Sequence, residues 1–147
     1  MSNDDNHLLD KNELIQTLTQ SVRELDCLQN INRLIECSDQ EEEIFFYAIF
    51  QGIADYIPQA LRWPQLACCK LRYKTNIFFS DEFVHSAVSI SSKINVKNNE
   101  VGVIEVFYKE KEDSGPITFI QRERDFLSSV AELLIKVLEK KEAEDQL

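Results

Sequence analysis

Apolar residues recur every three to four positions from Leu8 to Ile35, the period of one face of an α-helix. Ile15, Leu18, Val22 and Leu25 keep heptad spacing, and Leu14, Leu28, Ile31, Leu34 and Ile35 widen the stripe. A strict two-position seam serves one partner, so a stripe this wide predicts a long helix with two apolar neighbours. The pattern breaks at "CSDQEEE". There Ser38 and Glu41 have capping-box spacing, and Asp39, Glu41, Glu42 and Glu43 suit the positive end of a helix. That placement explains the acidic run more simply than a cation site does. A second helix is expected over 39–57, carrying Ile44, Phe45, Tyr47, Ala48, Ile49, Ile53 and Ile57, with Pro58 as its stop.

Beyond the loop "QALRWPQ" the period shortens to two. "LACCKLRY" (66–73) and "NIFF" (76–79) read as strands around a "KTN" turn. "SAVSISSKINV" alternates, with Val88, Ile90, Ile94 and Val96 on one face and Ser89, Ser91, Lys93 and Asn95 on the other. "KNNE" turns it back into "VGVIEVFYKE" (101–110), which predicts an antiparallel hairpin with Glu105 towards solvent. After the solvent loop "KEDSGP", Thr118 is the expected cap of a last helix, with Gln121 at its capping-box position. Phe119, Phe126, Leu127, Val130, Leu134, Val137 and Leu138 follow at helical spacing. The expected fold is therefore α+β: an antiparallel sheet with long N- and C-terminal helices packed on one face. Residues 1–7 are expected to be disordered, 8–138 to form a single domain, and 139–147 to be a helical connector.

Composition narrows the function. The 147 residues are 44% hydrophobic and 29% charged, as in one globular domain with a core. A net charge of −10 opposes binding to nucleic acid or to an anionic membrane surface. No apolar run reaches the roughly 20 residues a bilayer span needs, and the acidic start "MSNDDNHLLDKNE" does not read as a signal peptide. A cytoplasmic location is expected. The cysteines are Cys27, Cys37, Cys68 and Cys69, without CxxC spacing, and the histidines are His7 and His85. Reduced thiols and no metal site are expected.

No side-chain set has the spacing of a nucleophile with its base, so no catalytic residue is assigned. Cys68 and Cys69 are neighbours on a strand and face opposite sides. As a redox or haem pair they lack a second ligand, so one is read as a buried apolar residue and the other as its exposed neighbour. Cys27 and Cys37 are read as helix packing. Trp63, Tyr73, Phe78, Phe83 and His85, with Arg62 and Phe79 nearby, form the candidate ligand pocket; as core they would cover the open end of the sheet, the commoner use of aromatics in a small domain. His85 alone has the commoner reading of a surface residue.

The ordered strings "RELDCLQNINRLIE", "IADYIPQALRWPQLACCKLRY", "VGVIEVFYKEKEDSGP" and "RERDFLSSVAELLIKVLEKKEAEDQL" resemble a GAF domain, most closely a compact subgroup found beside histidine kinase and other output domains. Together they cover most of 23–147. Two features depart from the family. Phe83 stands near a position that often holds Trp, and the stretch between "NIFF" and "SAVSI" is too short for the lid that larger members place over a ligand. The resemblance implies a non-catalytic regulatory or sensory module. Alternatives within it are a sensor for haem, a nucleotide or a metabolite, and an enzyme of the methionine-sulfoxide-reductase type, to which adjacent cysteines are poorly suited. No cofactor is expected.

Helix length points the same way. At 1.5 Å per residue each terminal helix spans roughly 40 Å, more than a small sheet covers. A second copy of the chain would cover the remainder, with Leu14, Leu18, Val22, Leu25, Val130, Leu134, Val137 and Leu138 forming a four-helix dimer core. The last helix lacks a stop signal, which suits a connection to an output domain such as a histidine kinase.

Overall fold

Among the described residues, helix and strand periods resolve into three α-helices and four strands. In the computed structural model, which describes residues 3–37, 42–110 and 117–145, helix α1 spans Asn3–Cys37 and α2 spans Glu42–Tyr56. Strands β1 (Ala67–Tyr73), β2 (Asn76–Phe79), β3 (Ser89–Val96) and β4 (Asn99–Tyr108) follow, then α3 (Gln121–Asp145). Two short 3-10 turns, Ile57–Ala60 and Pro64–Leu66, connect α2 to β1. Both carry proline in their first turn, where a missing N–H costs nothing. The expected Ser38–Glu41 capping box and the loop at 111–116 lie outside the described residues.

The strands form one antiparallel sheet in the order β2-β1-β4-β3. Its β3–β4 hairpin, with β3 at the sheet edge, is the predicted one. Val96 pairs with Asn99 across Lys97 and Asn98, both with positive φ (52° and 66°), as a type I′ turn requires. The register also fixes the faces. Cys69, Leu71 and Tyr73 stand opposite Val106, Ile104 and Gly102, and Phe78 opposite Leu71. With Ile90, Ile94 and Tyr108 these residues form the inner face. Ile49, Phe50 and Ile53 of α2 and Val130, Leu134 and Leu138 of α3 close it, all buried. Each such side chain contributes about 1.5–3 kcal/mol on leaving water.

Gly102 sits at the tightest point of this sheet. A Cβ there would stand 2.2 Å from the Arg72 carbonyl oxygen across the strand pair, with backbone as the obstacle. Gly102→Ala is expected to lower the unfolding free energy by roughly 1–3 kcal/mol. Chemical denaturation reads this as a shifted midpoint with an unchanged slope.

The layering differs from expectation at one helix. Helices α2 and α3 lie on the sheet, but α1 packs on α2 and the Ile57–Ala60 turn. It therefore sits one layer out from the strands. Cys27 and Ile31 reach the core, Leu28 and Ile35 pack against it, and the Leu34 side chain stands where a Cβ on Gly52 would intrude. The two faces of the wide stripe thus meet different surroundings, because α2 occupies the place on the sheet beside α3.

The opposite sheet face carries no helix among the described residues. The 80–88 segment crosses one end of it. Phe83 packs 5.4 Å from Phe107, and the Cys68 thiol donates to the Val84 carbonyl at 3.3 Å. Ser80 anchors the segment by accepting the Cys69 N–H at 2.8 Å.

Candidate functional site

Helix α1 presents an exposed apolar stripe at heptad spacing. Leu14, Ile15, Leu18, Val22 and Leu25 are each 56–60% exposed, although they are the most regular part of its apolar pattern. The reverse side of the same helix buries Gln20, Cys27 and Ile31. An isolated large apolar residue on a surface is ordinary; five on one stripe form a contiguous patch. Positions flanking the seam include Thr19 and Ser21, uncharged in a chain with a net charge of −10.

The other half of the expected dimer core is placed differently. Val130 and Leu134 are fully buried and Leu138 nearly so, on the side of α3 that faces the chain's own sheet. Val137 is half-buried. These three leucine and valine positions cannot also serve an intermolecular seam. Helical spacing groups residues on one face, and the sheet has claimed that face of α3. The exposed set is confined to α1.

A polar junction ties α1, the Trp63 loop and α3 together. Glu123, in the first turn of α3, is completely buried. Its Oε1 accepts the Ile120 N–H and the Arg62 Nε–H, each at 3.1 Å, and its Oε2 accepts the Arg62 backbone N–H at 3.2 Å and the Tyr108 hydroxyl. Burial, with the hydrogen bond and charge of Glu123, raises the Tyr108 hydroxyl far above its ordinary range, so it stays a protonated donor. Arg62 further donates to the Thr118 carbonyl at 2.6 Å and lies 4.1 Å above the Trp63 ring. Nearby, Arg122 binds both Glu24 oxygens (3.0 and 3.3 Å) and the Ser21 hydroxyl (2.6 Å), joining the start of α3 to α1.

This junction corrects the expected cap. The helix starts at Gln121, not at Thr118, and the reciprocal capping bond runs from the Ile120 N–H to Glu123. Thr118 is used through its carbonyl. Sequence reading missed Glu123 because capping boxes are recognised by Ser or Thr at the N-cap, whereas here that place is held by isoleucine. Its partner Arg62 lies 61 residues away, and no local signal connects them.

The five candidate pocket residues occupy three places. Tyr73 and Phe78 lie on the inner face, 4.6 and 5.5 Å from Phe50. Trp63 packs 5.5 Å from Tyr108 at the junction. Phe83 and His85 are on the outer face, each beside Phe107. The sheet itself separates them, so they do not line one pocket. Cys68 and Cys69 do face opposite sides, yet both are buried, since the 80–88 segment covers the Cys68 side chain. Burial pushes the Cys27 thiol up to about 12 and raises that of Cys69 further, which disfavours the nucleophilic thiolate in both. Among the described residues no group of three or more His, Cys, Asp or Glu is placed to hold a metal ion, and no helix is long and apolar enough to cross a membrane.

In comparisons with known proteins, no protein-family profile matches the chain, and no curated protein matches it.

Proposed function

We propose that this chain is a GAF-like, non-catalytic regulatory module of a cytoplasmic signalling protein. It pairs with a second copy through α1 and passes a signal to an output domain such as a histidine kinase. The exposed heptad stripe on α1 carries this reading. A second copy is the occupant best suited to it, because a heptad seam is complementary to itself under two-fold rotation. Burying a half-exposed aliphatic side chain yields about 1 kcal/mol, half the usual value for full burial. Ten of them across a dimer give roughly 10 kcal/mol, which against an association cost of about 4 kcal/mol leaves about 6 kcal/mol, a dissociation constant of tens of micromolar. The result is a pair of modest affinity, suited to adjustment by a signal.

Transmission follows from connectivity. A two-fold axis along the seam sets the two α1 helices parallel and brings both α3 C-terminal ends to one side. Arg122 links α1 to the first turn of α3, which then continues as one helix to Asp145. A change in α1 packing thus reaches the end of the domain through a helix and an ion pair. Introducing Leu18→Cys in a Cys37→Ser background is expected to give a disulfide-linked dimer on mild oxidation, because facing seam positions of parallel helices lie within disulfide reach. Lys93→Cys on the outer sheet face should remain unlinked. Equal yields from the two positions would count against the parallel seam.

A further inference from the structure

A groove of about 580 Å³ opens between α1, the Trp63 loop and the start of α3. It lies on the body-facing side of α1, away from most of the seam. Three guanidinium groups line it: Arg23 from α1, Arg62 from the loop and Arg122 from α3. Ile15, Ile120 and the Trp63 ring supply apolar wall. We propose that this groove binds a small organic or inorganic oxyanion, a ligand whose carboxylate or phosphate groups engage these arginines.

Charge and hydrogen-bond accounting single out Arg23. Arg62 and Arg122 are held in fixed planes by Glu123 and Glu24. Arg23 has no carboxylate within ion-pair distance among the described residues. Its Nη1 makes long bonds of 3.4 and 3.3 Å to the carbonyls of Leu61 and Arg62, which leaves its Nε and Nη2 donors unused. An unpaired guanidinium in a chain of net charge −10 is a cation that an oxyanion can neutralise with two parallel hydrogen bonds. The flanking arginines, already oriented, add N–H groups at little entropic cost. Glu13 also lines the groove, which sets a preference for a ligand whose charge is concentrated at the Arg23 end. The groove volume lies within the range of small-molecule sites.

Occupancy would join α1 to α3 through Arg23 and Arg122, the same two helices that the proposed signal must couple. That consequence rests on the dimer reading, whereas the binding itself does not. Trp63 is the single tryptophan of the chain and lies in the groove wall under Arg62, so its emission reports on the site.

The test is titration of the chain at low ionic strength with inorganic phosphate, citrate or adenosine triphosphate, followed by Trp63 emission and by calorimetry. At least one probe is expected to saturate at one site per chain, with no matching response to sodium chloride at equal ionic strength. Arg23→Gln should weaken that binding at least tenfold while the chain stays folded by circular dichroism at the titration temperature, and Lys93→Gln should leave binding unchanged. The proposal is overturned if no probe saturates in either signal, if sodium chloride reproduces the response, or if Arg23→Gln binds like the parent. Sedimentation reads the dimer separately, so a failure of one idea is not mistaken for a failure of the other.

Discussion

Replacing Glu123 with alanine is expected to lower the unfolding free energy by about 3–5 kcal/mol, the usual cost of breaking a buried ion pair from one side. Whole domains of this size are stable by about 5–15 kcal/mol, so the variant should melt far below the parent. Four donors lose their acceptor together: the buried Tyr108 hydroxyl, the Ile120 N–H that caps the first turn of α3, and the Nε–H and backbone N–H of Arg62, whose guanidinium keeps the Thr118 carbonyl and the Trp63 ring. Arg62→Ala should cost less, because that side chain is 26% exposed and the carboxylate retains Tyr108 and the Ile120 N–H. Denaturation followed by circular dichroism checks both, and a loss below about 1 kcal/mol for Glu123→Ala would show that the carboxylate is not the centre of the junction.

Aspartate at the seam should act in the opposite sense. Leu18→Asp and Val22→Asp are expected to weaken dimerisation at least a hundredfold each, since every substitution removes apolar contact and sets two carboxylates in facing positions. A hundredfold corresponds to about 2.8 kcal/mol. The folded monomer should hardly notice, because both side chains are 56% exposed in the single chain and surface substitutions usually fall within about 0.5 kcal/mol. Leu134→Asp provides the contrast: it places a charge in the core and should unfold the domain, whatever the oligomeric state. A seam variant that loses stability and pairing together would mean that the stripe is structural.

Local periodicity made most elements legible. The β3–β4 hairpin is readable because alternation and a two-residue turn are both short-range. The width of the α1 stripe predicts two apolar neighbours; the chain itself supplies one, α2 with the 57–60 turn, and leaves the other face exposed. What a face packs against is non-local. Val130, Leu134 and Leu138 share a face in any helix, but only the position of β3 beneath α3 decides that they belong to the core. The same limit separated the aromatic residues. Tyr73 and Phe83 look alike in sequence, yet strand register sends one inward while the 80–88 segment carries the other across the outer face. Arg62 and Glu123 were invisible as a pair because their link depends on the turn at 57–60 and the end of β4 arriving at one place.

All of this converges on whether α1 is covered by a second copy of the chain. Sedimentation equilibrium of the unsubstituted protein from one to about 100 micromolar asks that directly. A concentration-dependent rise is expected from the 17.1 kDa chain mass towards twice that value, reversed by Val22→Asp. A single 17.1 kDa species across the whole range would contradict it.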